Sequence, residues 1–185
     1  MKNPLKTAAA LLAVASLSFS ARAENSPGFV ELGKINPPGK GAEFVEVQLR
    51  SNLIGLAAQL VEKQEPEAAK LLRSVELVQA KVIGLTKENR EELDKHISRV
   101  QSELESKNWE RNVAVQGKDG EDVAVYTKTR GGEALSGLVI TVKDKEHAVF
   151  VNIVGDIKPE QVAQLGEKLH IESLKKAGQA VKKEN

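Results

Sequence analysis

The chain has 185 residues, 41% hydrophobic and 29% charged, an ordinary composition for one folded domain. Its 27 basic and 26 acidic residues give a net charge of +1, which argues against a nucleic-acid-binding protein that depends on a strong basic field. The lack of cysteine excludes disulfides, thiolate nucleophiles and cysteine-based metal centres.

The first 23 residues have the three parts of a secretory signal peptide. Two lysines precede an apolar run over residues 7–19, and Ala-Arg-Ala, ending at Ala23, forms a small-x-small cleavage pattern. The run is shorter than the roughly 20 residues that a membrane-spanning helix needs. We therefore predict cleavage after Ala23 and an exported, periplasmic protein of net charge −2 without a transmembrane segment. Secretion beyond the outer membrane is the alternative.

The next segments predict an irregular arm, a strand and two helical pieces. Residues 24–43 contain three prolines and four glycines and predict a leading arm. Residues 44–49 alternate as a half-buried strand does. A helix from Ser51 or Asn52 and a second piece beginning at Pro66 follow. The positions of the first helix predicted to face inward are Leu53, Leu56, Ala57, Leu60 and Val61.

The remaining elements predict one more helix between strands, then a run of four strands. Residues 77–85 predict a strand, and Thr86 caps an amphipathic helix with an apolar stripe spaced by four, three and four. Short turns join the strands predicted over 109–116, 122–129, 138–143 and 147–154, which indicates antiparallel hairpins. Pro159 begins a last helix, and residues 171–185 form a lysine-rich tail.

This order predicts a single α+β domain over residues 44–170. Its sheet is largely antiparallel, with about six strands in the order β-α-β-α-β-β-β-β-α, and its helices pack on one face. Two-residue alternation leaves the other face open and polar, unlike the apolar lining of a lipid pocket. The residues predicted for this open face are Glu46, Gln48, Gln79, Lys81, Glu110, Asn112, Gln116, Tyr126, Lys128, Thr141 and Lys143.

Few residues suggest chemistry. His96, His147 and His170 lack the spacing of a metal site, and His96 is predicted to be solvated. No catalytic, cofactor-binding or metal-binding residue is predicted.

Three residues are weak candidates for an interaction site. Tyr126, beside Lys128, is the better aromatic candidate for an exposed contact, whereas Trp109 is predicted to lie in the core. Asp156 follows the last strand, where a functional carboxylate and a helix cap are both common; capping is the favoured interpretation.

Five segments resemble one exported bacterial family, the domain-of-unknown-function family four-two-five-two. They are EFVEVQL (43–49), LAAQLVEKQEPEAAKLL (56–72), WERNVAV (109–115), GEDVAVYTKT (120–129) and VNIVGDIKPEQVAQLGE (151–167). The similarity covers residues 28–174, and the segment NIVGDI-x-PE is its most specific part. The resemblance implies a small single-domain envelope protein, and it implies no activity, ligand or catalytic residue.

The favoured function is a non-catalytic envelope module that binds a protein partner or polar ligand through the open face. One alternative is a periplasmic enzyme that uses Asp, Glu and His residues near Asp156. Another is a membrane-surface protein that uses the lysine-rich tail (171–185), whose lysines alternate with apolar residues. An exposed sheet edge makes a homodimer plausible, and nucleic acid is not an expected partner.

Overall fold

A computed structural model describes residues 21–39, 41–117, 120–131, 134–158 and 161. A single helical turn, Ala21–Glu24, precedes the arm. The helices are α1 (Ser51–Val61), α2 (Pro66–Ser74) and α3 (Arg90–Ser106). The strands are β1 (Phe44–Arg50), β2 (Val75–Gly84), β3 (Glu110–Gln116), β4 (Asp122–Arg130), β5 (Ala134–Lys143) and β6 (His147–Ile157). The lysine-rich tail, and all but Gln161 of the helix predicted from Pro159, lie outside the described residues.

The six strands form one antiparallel sheet in the order β1-β2-β6-β5-β4-β3. Consecutive hairpins join the strands β3 to β6. The last of these strands, β6, pairs on its other side with β2. The prediction of a single α+β domain with a six-stranded antiparallel sheet is therefore confirmed.

The strand register assigns the side chains to two faces, because alternate residues point to opposite sides. Face A includes Glu46, Gln48, Gln79, Lys81, Phe150, Asn152, Val139, Thr141, Lys143, Ala124, Tyr126 and Lys128. Face B includes Val45, Val47, Leu49, Val78, Ala80, Val82, Val149, Val151, Ile153, Leu138, Ile140, Val142, Val123 and Val125.

Face A is covered by α3 and by the leading arm. The buried stripe of α3 and two arm residues, Val30 and Leu32, share one core with Phe150 and Tyr126. In the turn before this helix the backbone N–H of Thr86 donates to Asn89 Oδ1 (2.7 Å), and that of Asn89 donates to Thr86 Oγ1 (3.2 Å). The helix begins at Arg90, and its N-cap residue is Asn89 rather than the predicted Thr86. The stripe consists of Leu93, Ile97, Val100 and Leu104.

The prediction that this polar face lies open is wrong. Most of the residues assigned to it do share face A, but several of them lie beneath α3 and the arm and bond to these elements, whereas Glu46 and Gln48 on the edge strand β1 are exposed. Lys143 Nζ donates to Asp94 Oδ1 on α3 (2.6 Å), and Gln101 Nε2 on α3 donates to Thr141 Oγ1 (3.3 Å). A buried polar side chain costs little when it is hydrogen-bonded, so a polar face can be an inner one.

Helices α1 and α2 lie on face B, so the helices occupy both faces rather than the single face predicted. Ile54 of α1 and Leu72 of α2 pack with Ile140 and Ile153 in a second core. The physical reason is that the central strands carry apolar residues on both sides, and one layer of helices cannot cover both.

Candidate functional site

Tyr126, the predicted exposed aromatic, is fully buried on face A. Its hydroxyl donates to Glu105 Oε1 on α3 (3.3 Å). Burial, and after it the charge of Glu105, raises the pKa of Tyr126 above its ordinary value. Tyr126 therefore joins the sheet to α3, and the expectation of an exposed contact is corrected.

Lys128, the second candidate, holds the end of α3. Its Nζ donates to the carbonyl oxygens of Lys107 (2.6 Å) and Asn108 (3.1 Å). Asn108 has a φ of 58°, so the chain leaves the helix through a left-handed residue. A cation at the carboxyl end of a helix satisfies free carbonyl groups and offsets the helix dipole, which gives Lys128 a structural role.

Asp156, the third candidate, is exposed near the end of β6. Its strand neighbours Gly155 and Ile157 pair with Val75 and Leu135, so the adjoining strands place apolar residues beside it. The helix that it would cap lies outside the described residues, so its capping role remains a prediction. Trp109 is buried in the core, as predicted.

His96 lies in the core under the arm, and the prediction that it is solvated is wrong. Arg99 Nη2 lies 2.7 Å from His96 Nδ1, and Leu32 O lies 2.8 Å from His96 Nε2. Because Arg can only donate, Nδ1 accepts and the proton of the neutral ring lies on Nε2, which donates to Leu32. Burial lowers the pKa of His96, and Arg99 and Lys81 lower it further.

The other histidines do not form a metal centre in the part of the chain that the structure describes. His147 lies 3.3 Å from Glu43 Oε2 and 3.8 Å from Asp144 Oδ1, at the start of β6. Within the described ranges no group of three histidine or carboxylate residues could hold a metal ion. His170 lies outside those ranges.

One surface of the molecule is apolar and exposed. Six of the seven large hydrophobic side chains that the described residues expose fall between residues 45 and 60, on β1 and α1. Leu60 is 75% exposed and Leu56 54%. We call this set the apolar surface; it consists of Val45, Val47 and Leu49 on face B of β1 and Leu53, Leu56 and Leu60 on α1.

The rotation of α1 creates the apolar surface. The residues of α1 that are fully buried are Ile54 and Ala58, not the leucines that the sequence predicted to face inward. α1 contains no charged residue and has two apolar stripes, of which only one can face the sheet. β1 ends at Arg50 and α1 begins at Ser51, so no loop allows the helix to turn its leucines toward the core. The uncharged sequence was the signal that could have revealed the second stripe.

The two edge strands of the sheet differ in how well they are protected against pairing with a strand of another chain. On β3 the register shifts between Arg111 and Val113, and polar residues surround this bulge. β1 pairs with β2 in continuous register from Phe44 to Arg50. Bulges and charged side chains keep other chains from pairing with an edge, and on face B the β1 edge carries only apolar side chains.

Comparison with known proteins identifies a family. The family described as Domain of unknown function (DUF4252) matches residues 39–165, a shorter span than the 28–174 over which the resemblance was expected. No curated protein and no solved structure matches the chain. Among the described residues no helix has the length and apolar character needed to cross a membrane. The matched span includes the whole sheet and the apolar surface, and it begins after the arm residues that cover face A.

Proposed function

The chain belongs to the DUF4252 family, a domain of unknown function, and from this premise we propose that it is an exported, non-catalytic interaction module of the cell envelope. Its partner is a protein with an exposed apolar segment, bound at the apolar surface. The observation that carries this proposal is the collection of six exposed hydrophobic side chains on β1 and α1. Exposed apolar residues concentrated on two successive elements of a folded protein are typical of an interaction surface.

The energetics of α1 support the proposal. Burying a leucine side chain is worth about 1.5–3 kcal/mol, and the three leucines of α1 leave most of that stabilisation unused. Among the described residues α1 also has no side-chain cap, and its sequence has no acidic residue in the first turn and no basic residue in the last turn. Partner binding that covers these leucines would recover the unused hydrophobic energy.

The buried titratable groups support a non-catalytic role. His96 bonds to the arm and to Arg99, and Tyr126 bonds to Glu105. The bonds from His96 to the arm and from Tyr126 to α3 each join two parts of the fold, as expected for residues that maintain structure rather than perform catalysis.

Export rests on the signal-peptide pattern of residues 1–23. We expect the protein purified from its host to begin at Glu24 and to appear in the periplasmic fraction. N-terminal sequencing and fractionation would measure both. An intact Met1 terminus on the cellular protein would contradict export.

The partner test places a photo-crosslinking amino acid at Gln59, an exposed position of α1 between Leu56 and Leu60. Irradiation in the host, followed by mass spectrometry, identifies the partner, whose affinity is then measured with purified proteins. We expect the double variant Leu56→Glu, Leu60→Glu to weaken binding at least tenfold, because it places charges in the contact.

The matched control is Val115→Glu, which changes the exposed hydrophobic residue on the opposite edge strand. It should bind like the unsubstituted chain, and all variants should keep the same unfolding midpoint. Equal binding by the double variant would contradict the proposal. Cross-links only to a second copy, or only to residues 159–185 of the same chain, would also contradict it by assigning the apolar surface to another occupant.

A further inference from the structure

The leading arm crosses face A as an extended peptide. Burial alternates along residues 28–32: Gly28, Val30 and Leu32 are buried, Phe29 is partly buried and Glu31 is exposed. This two-residue period is that of an extended segment. The arm therefore inserts alternate residues into the space between α3 and the sheet.

Side chains from three elements bind the backbone of the arm. Asn152 on β6 accepts from the N–H of Val30 (3.1 Å) and donates to the carbonyl of Gly28 (3.0 Å). His96 on α3 donates to the carbonyl of Leu32 (2.8 Å), and Lys81 on β2 donates to that of Gly33 (2.7 Å). These four bonds use only main-chain groups of the arm, so they would hold any peptide of the same conformation.

Side-chain selectivity comes from three positions. Val30 and Leu32 fill the core, with 1% and 3% of their surfaces exposed. At Gly28 a Cβ atom would lie 1.7 Å from the carbonyl oxygen of Ser136, so only glycine fits. The groove thus accepts a glycine followed by two apolar residues at alternate positions.

We propose that this space is a peptide-binding groove, that residues 28–33 are its internal ligand, and that an extended Gly-x-apolar-x-apolar segment of a partner protein replaces them. Main-chain bonds that supply affinity, together with pockets for alternate side chains, are the general features of extended-peptide recognition. The inference concerns face A and does not depend on the proposed role of the apolar surface.

Two observations support binding of a segment other than residues 28–33 in this groove. The family match begins at residue 39, so it contains Lys81, His96 and Asn152 but not the segment that they bind. In addition, a cavity of about 190 Å³ lies beside the arm, between Glu31, Lys34 and the face-A residues Gln48 and Gln79. Gln79 Oε1 is buried there without a hydrogen-bond partner among the described residues. A different occupant with an N–H group at this position would satisfy that oxygen.

The test uses the full chain with Val30→Asp and Leu32→Asp, which expels the arm and leaves every groove residue in place. The probe is a fluorescent peptide of residues 26–35 (SPGFVELGKI), and binding is followed by fluorescence anisotropy. We expect saturable binding to the double variant. We expect at least tenfold weaker binding to the unsubstituted chain, whose tethered arm competes at an effective concentration on the order of millimolar.

Two controls make the result specific. A peptide with aspartate in place of its valine and leucine should bind neither protein. The variant Asn36→Ala changes an exposed arm residue outside the bound segment 28–33 and should behave like the unsubstituted chain. Lack of peptide binding by a double variant that is folded, as shown by its Trp109 fluorescence, would overturn the proposal.

Hydrogen exchange on the unsubstituted chain keeps the proposal testable if the double variant does not fold. We expect the Val30 amide of isotope-labelled protein to exchange faster than the sheet amide of Tyr126, and faster still with millimolar unlabelled peptide. Exchange of Val30 only through global unfolding, unaffected by peptide, would overturn the proposal. A dimer that the double substitution converts to monomer would overturn the assignment to a partner, because the occupant would then be the arm of a second copy.

Discussion

The solvent exposure of the two faces of the sheet is the opposite of what the polarity of their residues suggests. Face A carries lysines, glutamines and an asparagine, yet α3 and the arm cover its core and bond to Lys81, Lys143 and Asn152. Face B carries valines, leucines and isoleucines, yet at β1 it is exposed. The comparison shows that polarity alone does not identify the solvent face. The decisive feature is whether the covering element supplies complementary groups for the polar residues.

The largest expected difference between face A and the apolar surface is in the free energy of unfolding after a large side chain is removed from each. Phe150 is fully buried on face A, where it contacts His96 edge-to-face with ring centroids 5.2 Å apart. We expect Phe150→Ala to lower the free energy of unfolding by about 3–5 kcal/mol, because it removes this packing and leaves a cavity. Urea denaturation followed by the fluorescence of Trp109, the single tryptophan, measures the change.

Leu60→Ala is the matched substitution on the apolar surface. Because Leu60 is 75% exposed, we expect its loss to change the free energy of unfolding by no more than about 0.5 kcal/mol. A comparable loss of stability in both variants would contradict the distinction between a sealed face A and an exposed apolar surface.

A smaller contrast comes from two glycines. A Cβ at Gly137 would lie 2.5 Å from Gly28 Cα and 2.7 Å from Trp109 Cη2, so Gly137→Ala forces the arm away from the sheet. We expect a loss of about 1–3 kcal/mol, the usual cost of overpacking. At Gly55 in α1 a Cβ would meet no atom of the described residues within 4 Å, and Gly55→Ala should stabilise by about 0.5–1 kcal/mol through helix propensity.

The same urea titrations measure both glycine variants. Binding of the fluorescent peptide (residues 26–35) to the two glycine variants can be measured on the same samples. If Gly137→Ala left stability unchanged, the close approach of the arm to β5 would not be a feature of the folded chain.

Local patterns predicted the elements of the fold well. Local patterns located all six strands, and β1 to β4 agree with the prediction to within two residues at each end, whereas β5 begins four residues earlier and β6 ends three residues later than predicted. The spacing of the α3 stripe identified the long helix. The strand order and the faces chosen by the helices were harder to predict, because they depend on contacts distant in sequence. Nothing near Asn152, for example, indicates that it binds Gly28, 124 residues away.

The candidate site was predicted less well than the fold. Tyr126 and Lys128 were chosen for their chemistry and their shared strand, but their hydrogen bonds to Glu105 and Lys107 make them structural. The leucines of α1 appeared to be core residues, because their spacing of three and four fits burial as well as it fits exposure. Only the direct passage from β1 into α1 decides which stripe faces the sheet.

The smallest expected effect is the dependence of stability on pH through His96, which lies between α3 and the arm on face A. His96 is neutral when folded, and its burial, with Arg99 and Lys81 nearby, lowers its pKa below the ordinary value of 6.5; the Leu32 carbonyl and Glu92 oppose this change. The unfolded chain therefore binds more protons than the folded chain as the pH falls below about 6.5. The stabilisation from neutral His96 is complete above that pH and is lost as the pH falls through the lowered pKa.

Urea titrations between pH 7 and pH 5 would isolate this effect. We expect His96→Gln to give a flatter dependence of stability on pH than the unsubstituted chain, because the group that titrates is gone. Arg99→Gln should give an intermediate slope, since it removes one cation and keeps the histidine. If His96→Gln kept the full slope, carboxylates elsewhere would account for the pH dependence. Loss of Val30 amide protection at low pH before the sheet unfolds would place the effect at the arm, which His96 contacts through the Leu32 carbonyl.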